Sequence, residues 1–80
     1  MNVVIRTADQ LHKAEIEVDP NYKSADVIQA AVDNWSLPTD TDYSLVNITK
    51  NRTISPGVDL TSTGIEEGDM LEIQPILVAG

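Results

Sequence analysis

The sequence predicts a small α+β domain in which a sheet is covered on one face by a single helix. Three observations predict it. Residues 2–7 and 12–18 alternate between apolar and polar positions around a short polar connector. Residues 24–35 carry one apolar stripe at helical spacing. Residues 43–74 return to short, β-branched runs separated by turn residues, which gives the order strand, strand, helix, strand, short strand, strand. One stripe on one helix can cover one sheet face and no more.

In the first run, Val3 and Ile5 share one face, and Asn2, Val4 and Arg6 the other. Ala8-Asp9-Gln10 forms a connector short enough for a hairpin. The second strand sets Ala14, Ile16 and Val18 against Lys13, Glu15 and Glu17, a dry side and a wet side. Asp19-Pro20-Asn21 breaks it, because proline cannot donate to a ladder. The helix follows, with Ser24 expected to cap its first amides and Asp26 placed where the helix dipole favours an anion. Val27, Ile28, Ala31, Val32 and Trp35 make its stripe. It must end before Leu37-Pro38, since a residue preceding proline avoids helical geometry.

After the polar loop Thr39–Asp42, residues 43–49 read as a third strand with apolar residues on both parities. Lys50-Asn51-Arg52 is a turn, and Thr53-Ile54 a short strand stopped by Pro56-Gly57. Leu60 to Ile65 is irregular or one tight turn, and Glu66-Glu67-Gly68-Asp69 is an acidic turn read as a solvated face. Met70–Gln74 alternates with Leu71 and Ile73 inward. The sequence sets no neighbour for this last strand; beside the first it would be parallel and central.

Composition narrows the function. There are 80 residues with 5 basic and 13 acidic side chains, a net charge of -8. The five cations form no stripe, which argues against nucleic acid. The acidic balance also disfavours anionic membrane surfaces. With no cysteine, there is no disulfide, thiolate metal site or thiol nucleophile. His12 is the only histidine, so no triad or metal set can be built on it; it is expected at the surface, and Trp35 at the rim of the core. Asp40-Thr41-Asp42 lacks the glycine and distal glutamate of a calcium loop. No catalytic residue, metal site or cofactor is expected, and the chain does not read as an enzyme. The apolar start is too short for a signal peptide and no run approaches a membrane helix, so a cytoplasmic place is expected.

The ordered set of features resembles the ubiquitin superfamily over essentially the whole chain. It is carried by the opening hairpin, Ile16-Glu17-Val18-Asp19-Pro20 before a helix, Leu37-Pro38 after it, and Leu60 through Gly64-Ile65, then Gly68-Asp69-Met70-Leu71-Glu72-Ile73. The last block also resembles bacterial YukD-type proteins. The resemblance implies a β-grasp fold, with a mixed four- to five-stranded sheet on one α-helix, over residues 1–75, and an extended tail over 76–80. In a prokaryotic ubiquitin-like modifier of this kind Gly80 would bear the carboxylate joined to target amines. An adenylating enzyme would grip Ala79, Val78, Leu77 and Ile76, supplying its own ATP, Mg²⁺ and cysteine. The usual modifier ending is Gly-Gly, and here it is Ala79-Gly80. A terminal glycine offers no Cβ to obstruct attack at its carbonyl.

The resemblance further implies a conjugating enzyme, a deconjugating protease and target proteins as partners, with the free protein a monomer. Ubiquitin's recognition face falls where this chain has Asn47 and Gln74, with Val46 or Ile48 as the apolar substitutes. Lys13, Lys23 and Lys50 are the amines available for chain formation. Two other roles fit the same resemblance: a noncovalent YukD-like adaptor of a type VII secretion system, and a sulfur carrier bearing a thiocarboxylate.

Overall fold

The computed structural model describes residues 1–19, 21–55 and 57–76. The chain opens with β1 (Asn2–Thr7), whose Val3, Ile5 and Thr7 are buried while Asn2 faces water. It pairs antiparallel with β2 (Lys13–Glu17), Val3 opposite Ile16 and Ile5 opposite Ala14. Between them Gln10 adopts a left-handed φ of 62°. Asp9 accepts from the Thr7 hydroxyl and from the Leu11 N–H, which fixes the turn without a glycine. The Thr7 hydroxyl, then the Leu11 amide, holds the Asp9 carboxyl below its usual range.

The helix α1 spans Ser24–Trp35, with the stripe where the sequence placed it: Val27, Ala31 and Val32 are buried, and Ile28 and Trp35 pack against the core. The capping residue differs from expectation. Ser24 is the first helical residue, fully buried, and its hydroxyl donates to the Ser55 carbonyl at 2.7 Å. The cap position belongs to Lys23, whose backbone N–H donates to the Asp26 carboxylate at 3.0 Å. Extended geometry at Lys23 turns Ser24 inward, so its oxygen is spent on holding the segment after the fourth strand. At the other end Ser36 takes φ 51°, and the Ser36 and Leu37 amides both donate to the Val32 carbonyl before Pro38.

Beyond the loop, β3 (Tyr43–Asn47) pairs with β4 (Arg52–Ile54), Leu45 opposite Ile54. A 3₁₀ turn at Leu60–Thr63 drops the fully buried Leu60 into the core, held by its N–H to the Tyr22 carbonyl at 2.9 Å. The last strand, β5 (Met70–Pro75), lies parallel to β1 and antiparallel to β3. The sheet order is β2-β1-β5-β3-β4, so the last strand is central and beside the first, a placement the sequence left open. The core gathers Val3, Ile5, Val18, Val27, Leu45, Leu60, Leu71 and Ile73 between sheet and helix, with no aromatic residue among its fully buried members. Full burial of each Leu or Ile contributes roughly 1.5–3 kcal/mol relative to exposure.

The turn before β5 corrects a further expectation. Gly68 has φ 85°, a conformation that glycine adopts without strain. Glu66 and Glu67 are exposed, but Asp69 is only 4 % exposed and points inward. Asp69 is a buried lock, not part of a solvated face, because the tight turn folds its carboxylate back over the Glu66 amide (3.0 Å).

Candidate functional site

The sheet leaves one face uncovered by the helix. Strand alternation puts Arg6, Val46, Glu72 and Gln74 on it. Arg6 lies opposite Glu72 across the parallel pair, and Val46 lies opposite Glu72 on the other side. The Arg6 Nε donates to Glu72 Oε2 at 2.7 Å, and the Gln74 Nε2 donates to Glu72 Oε1 at 2.8 Å. Each carboxylate oxygen therefore has a donor, which allows Glu72 to be 8 % exposed while charged. The centre of the open face is a polar clamp, with half-buried Val4, Val46 and Met70 around it.

Of the expected recognition residues, Val46 and Gln74 share this face. Ile48 follows the end of β3, is exposed, and donates its N–H to the Met70 carbonyl at 2.8 Å. Asn47, expected as a polar part of the same surface, lies instead on the helix side at 2 % exposure. Its Nδ2 donates to Asp69 Oδ2 at 2.9 Å, and its Oδ1 accepts the Lys50 N–H at 3.0 Å. Asn47 shares the parity of buried Leu45, so it cannot face the open side.

The second region is the end of the molecule where β5 leaves the sheet. Pro75 pairs opposite Tyr43, and the Ile76 N–H donates to the Asp42 carbonyl at 2.8 Å. Ile76 is 46 % exposed. The Tyr43 hydroxyl donates to the Pro38 carbonyl at 2.8 Å, which ties the loop before β3 beside this exit. Two clefts flank it. One of about 490 Å³ is lined by Ala25, Ile28, Val32, Tyr43 and Ile76 among others, and the other, about 470 Å³, by Thr7, Ala8, Leu37, Ile73 and Pro75 among others. Of the five tail residues, only Ile76 is described; Leu77, Val78, Ala79 and Gly80 lie outside the described residues.

The three lysines fall in three environments. Lys13 opens edge strand β2 and is exposed, and Lys23 is exposed before the helix. Lys50 is held: its Nζ is 2.8 Å from Glu66 Oε1 and 3.8 Å from Asp69 Oδ2. The Glu66 hydrogen bond, and after it the Asp69 charge, raises the Lys50 ammonium above its usual range. Burial pushes the Asp69 carboxyl up, but the Asn47 amide, the Glu66 N–H and the Lys50 cation together outweigh it and leave it below its usual range.

Sequence reading missed two features. The Arg6–Glu72–Gln74 clamp was invisible without the β1–β5 pairing, since Glu72 alone reads as a wet strand residue. Leu11, at 78 % exposure beside the Asp9 turn, is an apolar residue in a polar hairpin tip and could have been singled out on that ground. His12 is not a plain surface residue either. Its ring stacks on Trp35, centroids 5.2 Å apart and planes 16° apart, over the rim of the core. Among the described residues no group of three or more His, Cys, Asp or Glu side chains could hold a metal ion, and no helix is long and apolar enough to cross a membrane.

No family model matches the sequence, and no curated protein matches it. Among solved structures, the ubiquitin of Caldiarchaeum subterraneum is similar over 100 % of this chain and 98 % of its own, with a TM-score of 0.79 and 28 % sequence identity. The strand order, the single helix on one face and that full-length likeness agree, and the chain is a ubiquitin-like protein of the β-grasp fold.

Proposed function

We propose that the chain is a prokaryotic ubiquitin-like protein modifier, activated by an adenylating enzyme at the carboxylate of Gly80 and then joined to target amines. The observation that supports it most is the likeness to an archaeal ubiquitin along the full length of both chains. The end of β5 fits the same reading: the strand stops at Pro75, and Ile76 after it is exposed. In this reading Ile76, Leu77 and Val78 are gripped by the activating enzyme, and Ala79 adds one methyl next to the reacting glycine. A conjugating enzyme and a deconjugating protease complete the set of partners, with the cytoplasm as the place of action. Val46, Ile48 and Gln74 serve noncovalent recognition. A net charge of -8 would steer the domain toward a basic docking surface on the activating enzyme.

The test uses the purified activating enzyme from the host with ATP and Mg²⁺. The wild-type chain is expected to form an adenylate and then a thioester adduct visible by mass, and a form lacking Gly80 is expected to form neither. If both forms behave alike, with no adduct from either, the modifier reading fails.

A further inference from the structure

We propose that Leu77 and Val78 dock in the cleft between α1 and the loop before β3 of their own chain, so that the tail is masked until a partner draws it out. The docking stands on the cleft and on the residues that follow Ile76. Its consequence for activation rests on the modifier reading above.

The occupant is set by composition. From Ile76 the chain reads Ile-Leu-Val-Ala, four apolar side chains with no charge among them. Left in water, such a run forgoes the gain of burying each side chain. The site is set by where that run begins. The strand β5 stops at Pro75, and the Ile76 N–H donates to the Asp42 carbonyl at 2.8 Å. That bond fixes the root of the tail beside the loop. Ile76 itself lines the cleft of about 490 Å³, together with Ala25, Ile28 and Val32 from α1 and Pro38 and Tyr43 across from them. Two further residues reach about 7 Å beyond Ile76, so Leu77 and Val78 are within range of a cleft that Ile76 already lines. A segment tethered at its own site closes almost no loop to bind there, and its entropic cost is small.

The cleft offers apolar surface in the right order. Ala25, Ile28 and Val32 lie at i, i+3 and i+7, one line along the helix. Val32 is buried, Ile28 half-buried and Ala25 exposed, so the line runs from the core out to water. Side chains laid against it extend the core outward. Asp42 also lines the cleft, and residues 76–79 bring no anion for it to repel. The second cleft beside the exit is lined by Pro75 and not by Ile76, so the chain has passed it before the apolar run begins. A docked tail hides the segment that an activating enzyme would grip. Only the released fraction is then competent, and the apparent affinity for the enzyme falls by that fraction.

The experiment records methyl–methyl NOEs on the intact chain, labelled at its Ala, Ile, Leu and Val methyls. Leu77 or Val78 is expected to show NOEs to Ala25 and Ile28. Ala25→Glu puts a charge into the cleft at an exposed helical position and is expected to keep the fold, checked by circular dichroism. It should abolish those NOEs and speed thermolysin cleavage of the Ile76–Leu77 bond severalfold. Ala8→Glu, at an exposed position in the second cleft, should change neither. No NOE from Leu77 or Val78 to α1 in the wild type overturns the proposal, as do NOEs to Ala8 and Leu37 in their place. A cleavage rate that Ala25→Glu leaves unmoved overturns it too, and so do NOEs that a mixed-label sample shows to arise between two molecules. In the activation assay at limiting enzyme, Ala25→Glu should form the adenylate severalfold faster than the wild type, and an equal rate overturns the masking. Docking NOEs with no adduct from any form overturn the modifier reading alone, and an adduct without the NOEs overturns the docking alone.

Discussion

A carboxylate buried at the start of a central strand needs its oxygens answered by donors, and Asp69 shows how this chain answers them. The Asn47 amide, the Glu66 N–H and the Lys50 ammonium all converge on Oδ2. Removing the acceptor leaves the Asn47 Nδ2 buried without a partner. Asp69→Ala is therefore expected to cost about 1–3 kcal/mol, a drop in Tm of very roughly 4–8 °C for each kcal/mol in a domain of this size, measured by thermal melting. Acid acts on the same group. Its folded-state pKa is depressed, so it contributes stability that is fully present above the ordinary aspartate range. That stability is lost as pH falls through the lowered value, below about pH 4. A denaturant titration repeated across pH 2–6 should show the wild type losing stability in that window more steeply than Asp69→Ala. Parallel profiles would show that Asp69 is not linked to folding. None of this was legible in Glu66-Glu67-Gly68-Asp69 as a string. An acidic turn is ordinarily solvated, and only the meeting of two turns far apart in sequence buries one of its four residues.

At the scale of elements, the helix end was set by local chemistry and could be read. Leu37-Pro38 forbids continuation, and α1 stops at Trp35. What the sequence did not disclose is that Ser36 carries the left-handed φ of 51° that closes the helix. A residue with a Cβ is strained there by very roughly 1 kcal/mol, and glycine is not. Ser36→Gly is accordingly expected to stabilise by about 0.5–1 kcal/mol, read as a higher urea midpoint with an unchanged m value. A lowered midpoint would mean that the Ser36 side chain makes a contact worth more than the strain. The start of the helix was less legible for the opposite reason. Ser24 is a good cap by type, yet its hydroxyl is drawn to the Ser55 carbonyl, 31 residues away. Local propensity named the right region, and tertiary demand chose a different residue. The strands follow the same rule. The alternation of β1 and β2 settled their faces, whereas the two-sided apolar content of β3 resolved only when Leu45 and Asn47 turned to the helix and Val46 to the open side.

For the whole molecule, the order of elements was legible because each was short, cleanly bounded and, β3 apart, of one period. The pairing of first and last strands was not legible, because the apolar alternation of Met70–Gln74 sets its faces and not its neighbours, and the parallel β1–β5 ladder is a tertiary fact. The candidate site was legible only by resemblance. On the proposed reading the tail would work in another protein's crevice, and such a site needs no cluster of its own. Charge is the remaining property of the whole. Thirteen acidic and five basic side chains share a body of 35 × 22 × 20 Å. At 0.01 M salt the Debye length is about 30 Å, comparable to the molecule, and every excess negative charge acts on the others; near 0.15 M it is about 8 Å and they are largely screened. Self-repulsion should therefore outweigh the few attractive pairs, of which Lys50–Glu66, with its Glu66 side chain 74 % exposed, is worth little. Raising NaCl from 0.01 to 0.15 M is expected to raise the Tm by a few degrees. Removing a charge at exposed Glu17 on edge strand β2, as Glu17→Gln, should raise the low-salt Tm and shrink the salt response. A Tm that falls with added NaCl would show that attractive pairs dominate, and that the clamps at Glu72 and Asp69 hold more of the fold than the excess charge strains.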